Sequence, residues 1–272
     1  MKRRFTFGVL LLLALVARPS AAQTCTLTDT SMNFGTYTGA LLDGTSTGRV
    51  TCAGSWNIPL NAGSGAGATE TLRKMTGPGG AELSYEVFQD AARTINWGNT
   101  TGAEMTGTGN TNITFYGQIL AGQYVVPGTY TDTLSTDTTN FSVTATVAKD
   151  CSVTATNLAF GNYTGAQVRS TSTITTTCTS STTYTVGLNA GTATGATVTN
   201  RSMTGPGSAL LHYSLFSNSG YTTDWGNTSA TNWVSGTGTG SAKAITVYGQ
   251  IPAAQYVKPG SYTDTITVSV TY

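Results

Sequence analysis

Three features of this 272-residue chain predict an all-β protein of two tandem sandwich domains: a long internal repeat, apolar residues at period two, and turn residues between the apolar runs. Thr and the aromatics suit pleated, half-buried surfaces, and Gly and Asn suit tight turns, so their abundance favours short strands over helices. No stretch carries sustained helical spacing with caps at both ends.

The first 22 residues read as a signal peptide. "MKRR" supplies a basic start, "FTFGVLLLLALVA" an apolar run short for a bilayer span, and Ser20 and Ala22 the small residues that precede cleavage. The exported chain then starts at Gln23, with Cys25 read as a disulfide partner and not as a lipid anchor. Without Lys2, Arg3, Arg4 and Arg18, 13 − 4 = 9 basic residues face 12 acidic ones, a net charge of −3. That balance argues against nucleic acid and against anionic membranes, and no later run is apolar enough for a transmembrane helix.

The repeat fixes the domain organisation. "CTLTDTSMNFGTYTGA" at Cys25 returns as "CSVTATNLAFGNYTGA" at Cys151, an offset of 151 − 25 = 126. "RKMTGPGG" and "RSMTGPGS" align at 203 − 75 = 128, and "YGQILAGQYVVPGTYTDTL" and "YGQIPAAQYVKPGSYTDTI" at 248 − 116 = 132. The offset changes only in Gly/Ser/Thr-rich stretches, as surface loops permit. The expected boundaries are 1–22 for the signal peptide, 23–148 for the first domain and 149–272 for the second. Within each repeat "LSYEVF", "LHYSLF", "NITFYGQI" and "AITVYGQI" alternate as strands, and "YTDTITVSVTY" puts Ile266, Val268, Val270 and Tyr272 on one face of a final strand.

Four cysteines permit three pairings. Equal spacing in the two repeats, 52 − 25 = 178 − 151 = 27, favours Cys25–Cys52 and Cys151–Cys178, each closing its own domain. Zinc would want closely spaced Cys pairs or His partners, and the chain has one histidine, His212. No metal, cofactor or catalytic constellation is expected. His212 lies in an alternating strand, and the repeated Tyr130–Asp132 and Tyr262–Asp264 of "YTDT" read as structural. Trp97 and Trp225 of "WGN" could stack on a glycan, but their repetition before a turn favours packing.

"C.V....L.FG.Y", then "TC", "LNAG", "R.M", "WG" and "VYG.I.A.Q.V.PGSYTDTITV.VTY" together resemble the spore coat protein U domain, twice over. That family includes subunits of archaic, Csu-type chaperone–usher pili. The resemblance implies pilin-type, immunoglobulin-like sandwiches, the second lacking its final strand. It also implies a periplasmic chaperone that holds the subunit, an outer-membrane usher, and an adjacent subunit that donates the missing strand. Ile266, Val268, Val270 and Tyr272 are then the edge to which chaperone or subunit adds.

The first repeat departs from the second after "YTDTL". Turn-forming "STDTTN" interrupts it, and Phe141, Val143, Ala145 and Val147 then alternate with Ser142, Thr144 and Thr146. This segment, about 139–148, resembles the family's donor strand and is placed to complete the first domain in cis. Only Gln23 and Thr24 separate the expected cleavage site from Cys25, so a fibre-tip subunit that accepts but does not donate is expected, reaching the cell surface through the periplasm. Such a subunit would serve attachment to an abiotic or host surface and biofilm formation, with Leu41 and Leu42 in a Gly-flanked loop as candidate contacts. A secreted coat or matrix protein outside any pilus is the alternative.

Overall fold

The structure, a computed structural model, describes residues 25–28, 30–227 and 232–272; the expected signal peptide lies outside them. It is all-β. The first repeat supplies β1 (Thr26–Thr28), β2 (Met32–Tyr37), β3 (Leu42–Thr51), β4 (Ser55–Ile58) and β5 (Arg73–Thr76). It continues with β6 (Glu82–Phe88), β7 (Met105–Thr108), β8 (Thr111–Ile119), β9 (Gly128–Ser135) and β10 (Asn140–Val147). The second supplies β11 (Cys151–Ala155), β12 (Val168–Cys178), β13 (Thr183–Leu188), β14 (Arg201–Thr204), β15 (Leu210–Phe216), β16 (Val234–Thr237), β17 (Lys243–Ile251) and β18 (Val268–Thr271).

In the first half eight strands run in the order β1-β3-β8-β6-β5-β9-β10-β2, with β4 and β7 as a separate ribbon. The sheet curls until β2 packs back on β3. Period-two alternation sends Leu83, Tyr85 and Val87 of β6 and Ile113, Phe115 and Ile119 of β8 into one core. The second half repeats most of this as the sheet β11-β12-β17-β15-β14 facing the sheet β16-β13-β18, around its own cluster.

Disulfides join Cys25 to Cys52 and Cys151 to Cys178. Each staples the first strand of its half to the end of the strand paired with it; Cys151 and Cys178 are themselves register partners.

Both halves bury an arginine. Arg73 donates to the carbonyls of Asn61, Glu70, Leu60 and Trp97, and Arg201 donates to those of Asn189, Val198, Leu188 and Trp225. Burial lowers both guanidinium pKa values. One planar fork thus gathers three chain segments that no ladder joins. Trp97 and Trp225 are fully buried, and their indoles donate to Ile58 and Val186 carbonyls, so they pack the core and present no stacking face.

Candidate functional site: an open strand slot in the second half

The two halves differ at one place. In the first, β10 lies between β9 and β2, antiparallel to β9 from Asn140↔Ser135 to Val147↔Gly128 and parallel to β2 from Val143↔Met32 to Val147↔Tyr37. Phe141, Val143, Ala145 and Val147 point inward and are buried, with Phe141 against Trp97 and Phe115. The turn that returns β10 is closed by Thr136, whose hydroxyl bonds the Thr139 carbonyl and accepts the Thr139 N–H.

In the second half no described residue occupies that position. Segments 158–163 and 260–267 match β2 and β9 almost residue for residue, yet neither forms a ladder; the latter makes one isolated bridge, Thr263 to Thr204. Composition cannot explain this, because "NFGTYTGA" and "AFGNYTGA" are nearly the same. The strand between them can: β2 and β9 are strands because β10 satisfies the facing N–H and C=O groups of both. Without it a groove of about 470 Å³ stays open, walled by Leu158 and Phe160 on one side and Tyr262, Asp264 and Ile266 on the other, with Leu215 and Val247 at its floor.

The walls are prearranged. Leu158 and Phe160 lie against Gly249, where a Cβ would come within 2.8 Å of Leu158, as Met32 and Phe34 crowd Gly117. Asp264 accepts from the Thr192 N–H and hydroxyl and from the Tyr213 phenol at 2.7 Å, repeating Asp132 with Ser64 and Tyr85. Gly191 (φ +89) must be glycine there, since a Cβ would fall 2.0 Å from Asp264 Oδ2. Burial, with Asp264 beside it, pushes the Tyr213 phenol well above the ordinary range. Tyr130 and Tyr262 each donate to a carbonyl four residues upstream, Val126 and Lys258, a corner tie familiar in sandwiches.

The residues expected on the edge strand fall in β18 and on either side of it. Only 268–271 is strand, Ile266 precedes it, and Tyr272 follows it half-exposed. β18 crosses to the opposite sheet and pairs along one edge with β13, Val268↔Leu188 to Thr271↔Thr185, and it ends the order β16-β13-β18, so no described strand pairs with its other edge. Ile266 and Val268 still line the groove.

Leu41 and Leu42 do not form one loop patch. The turn closes at Gly39 (φ +82), so Leu42 opens β3 opposite Ile119 and packs on the core. Leu41 is 53% exposed and stands two residues after Gly39, where a Cβ would lie 3.5 Å from Asp150 Oδ2.

No periodicity marks Arg73 and Arg201 as buried pins, although an arginine stands two residues before a repeated methionine in both copies. Gln123 and Gln255 are likewise unmarked by any pattern. Each clasps a strand through its side-chain amide, Gln123 the N–H and C=O of Ser84, Gln255 those of His212. His212 is exposed and its ring bonds only Ser202. Among the described residues no group of three or more His, Cys, Asp or Glu could hold a metal, and no helix is long and apolar enough to cross a membrane.

The model of the Spore Coat Protein U domain matches residues 11–137 and again 137–269. The chain belongs to the spore coat protein U domain family. A relative, Protein U of Myxococcus xanthus, is 35% identical over 122 residues, covering 38% of this chain and 68% of that protein. Among solved structures, the chain resembles the chaperone–tip adhesion subunit pre-assembly complex, CsuC–CsuE, from archaic chaperone–usher Csu pili of Acinetobacter baumannii. The TM-score is 0.56 at 19% identity, over 92% of this chain and 100% of the matched one. The likeness is one of fold, and it spans both spore coat protein U repeats.

Proposed function

We propose that this protein is a non-enzymatic, exported subunit of a chaperone–usher pilus, assembled by donor-strand complementation and standing at the fibre tip. One observation carries the reading: matching segments are laddered strands where β10 lies between them and bare groove walls where nothing does. An unpaired edge of this kind recruits an extended segment, whose main chain satisfies the ladder and whose alternate side chains fill the apolar slots. Phe141, Val143, Ala145 and Val147 serve the first domain as a cis donor strand, residues 23–148 and 149–272 forming the two domains. The second domain takes first a periplasmic chaperone's strand, then an adjacent subunit's, at the usher.

Tip placement draws support from the first domain, whose slot is filled from within the chain and needs no neighbour. It draws further support from the fold-level likeness to a tip adhesion subunit held by its chaperone. Surface attachment and biofilm formation would then fall to the outer loops of the first domain. A coat role outside a pilus is the second reading, favoured by the name of the Spore Coat Protein U domain that the chain matches twice; it predicts a groove that stays empty in the exported protein.

The test is a peptide of residues 139–148 added to the purified full chain. Saturable one-to-one binding with a raised melting temperature, weakened by Ile266→Asp, is expected. A peptide that binds wild type and Ile266→Asp alike, or not at all, sinks the groove assignment.

A further inference from the structure

The junction between the two halves has a second copy with nothing on it. At the junction, the Tyr124 carbonyl accepts the Ser180 N–H at 3.0 Å, and Gly240 (φ +77) brings its backbone so close that a Cβ would lie 2.8 Å from that carbonyl. The Tyr124 ring lies over Gly39, beside Asp150. Asp150 is tied to the same turn of the second half, its carbonyl accepting the Thr179 N–H and its N–H donating to the Thr179 hydroxyl.

Tyr256 repeats Tyr124 at the offset of 132, in a loop held by the same bonds. Gln255 clasps His212 as Gln123 clasps Ser84, and its N–H donates to the Tyr163 phenol as that of Gln123 donates to Tyr37. Ala254 donates to the Gly165 carbonyl at 2.8 Å as Gly122 does to Gly39. The loop backbone is therefore the same, but the ring is not covered. Tyr256 is 95% exposed, Tyr124 is half-buried, and nothing comes within 4 Å of where a Cβ on Gly165 would stand.

We infer that Tyr256 and its loop, 252–258, are the docking face for the domain that trails the donated strand, built as Tyr124 is built for the second half. This rests on the strand-acceptance reading above. Register supplies the direction: β10 ends with Val147 opposite Gly128, at the loop that carries Tyr124. A strand seated likewise in the second groove ends opposite Gly260, and delivers its own domain onto Tyr256. The partner is a sandwich of the same family, with a lead-in of a few residues, a turn offering a backbone N–H like that of Ser180, and a glycine where Gly240 allows close approach. An aromatic ring so exposed on a pinned loop needs such a cover more than solvent.

Two extended forms of the full chain test this. One carries a flexible Gly/Ser linker and a second copy of residues 139–148 after Tyr272; the other carries the linker and a second copy of residues 139–272. Amide hydrogen exchange over 158–163 and 260–267 reports groove filling, and hydroxyl-radical footprinting reports Tyr256. Both forms should protect the groove, while only the second should lower Tyr256 reactivity several-fold towards that of Tyr124. Gly240→Val in the appended copy should restore Tyr256 reactivity and leave the groove protected. A filled groove with Tyr256 equally reactive in both forms overturns the docking face alone. An unprotected groove in both overturns strand acceptance, and the docking face with it.

Discussion

Arg73 donates through Nη2 to the Trp97 carbonyl at 2.6 Å, and Arg201 repeats the bond to Trp225 at 2.6 Å. In each half the guanidinium holds loop carbonyls that have no ladder of their own. Arg73→Met removes the donors and leaves buried acceptors unpaired, which costs roughly 1–3 kcal/mol for each such group. Urea unfolding should show the first half destabilised by at least about 3 kcal/mol, and Arg73→Lys should recover only a fraction, since one ammonium cannot span the fork.

Phe141→Ala empties the space between Trp97 and Phe115. A loss of about 3–5 kcal/mol is expected, read as a lower urea midpoint for the first half. The second half should keep its midpoint, because its core is a separate cluster. A chain ending at Asp137 should fail to fold its first half at all; stable folding would refute cis completion.

Alkaline pH should weaken the fold from about pH 10. Burial raises the Tyr85 phenol above its ordinary value of 10.0, with Asp132 adding to it, and the same holds for Tyr213 with Asp264. A phenol with a higher pKa in the folded chain stabilises fully below the unfolded value and loses that contribution as pH rises, because the unfolded chain alone releases the proton. Phenolate absorbance of the native protein should therefore lag that of the urea-unfolded chain, and Tyr85→Phe should flatten the decline of stability above pH 10.

Replacing Cys151 and Cys178 by Ser frees a loop of 27 residues. By loop entropy this removes roughly 3–4 kcal/mol. Among the described residues the second half has no counterpart of β2, β9 or β10, so its thermal transition should fall below that of the first half.

Leu41→Ser should weaken surface attachment while fibre assembly stays normal, since Leu41 is the exposed member of the expected contact pair. Unchanged attachment would remove it as a contact.

Much of this was legible in the residues. The repeat gave the two halves, and the period-two run from Phe141 to Val147 announced a strand because both of its faces were patterned. The fate of 268–271 was not legible: Val268 and Val270 alternate equally well whether they pair beside the groove or across on β13, and a pattern of faces does not name a neighbour. Leu41 and Leu42 are neighbours in sequence, yet after the positive-φ turn at Gly39 one stays exposed and the other packs on the core, a difference the letters do not carry. Tyr124 and Tyr256 are the same letter in the same motif; only coordinates separate a covered ring from a bare one.

The route of β10 has a mechanical consequence. It leaves the first half along its own axis and passes directly into Asp150 and the second half, so tension between the halves pulls the strand lengthwise. Its eight register pairs with β9 and four with β2 then resist together in shear, instead of opening one after another as in peeling. A link of that geometry should hold under flow far longer than its equilibrium stability alone would suggest.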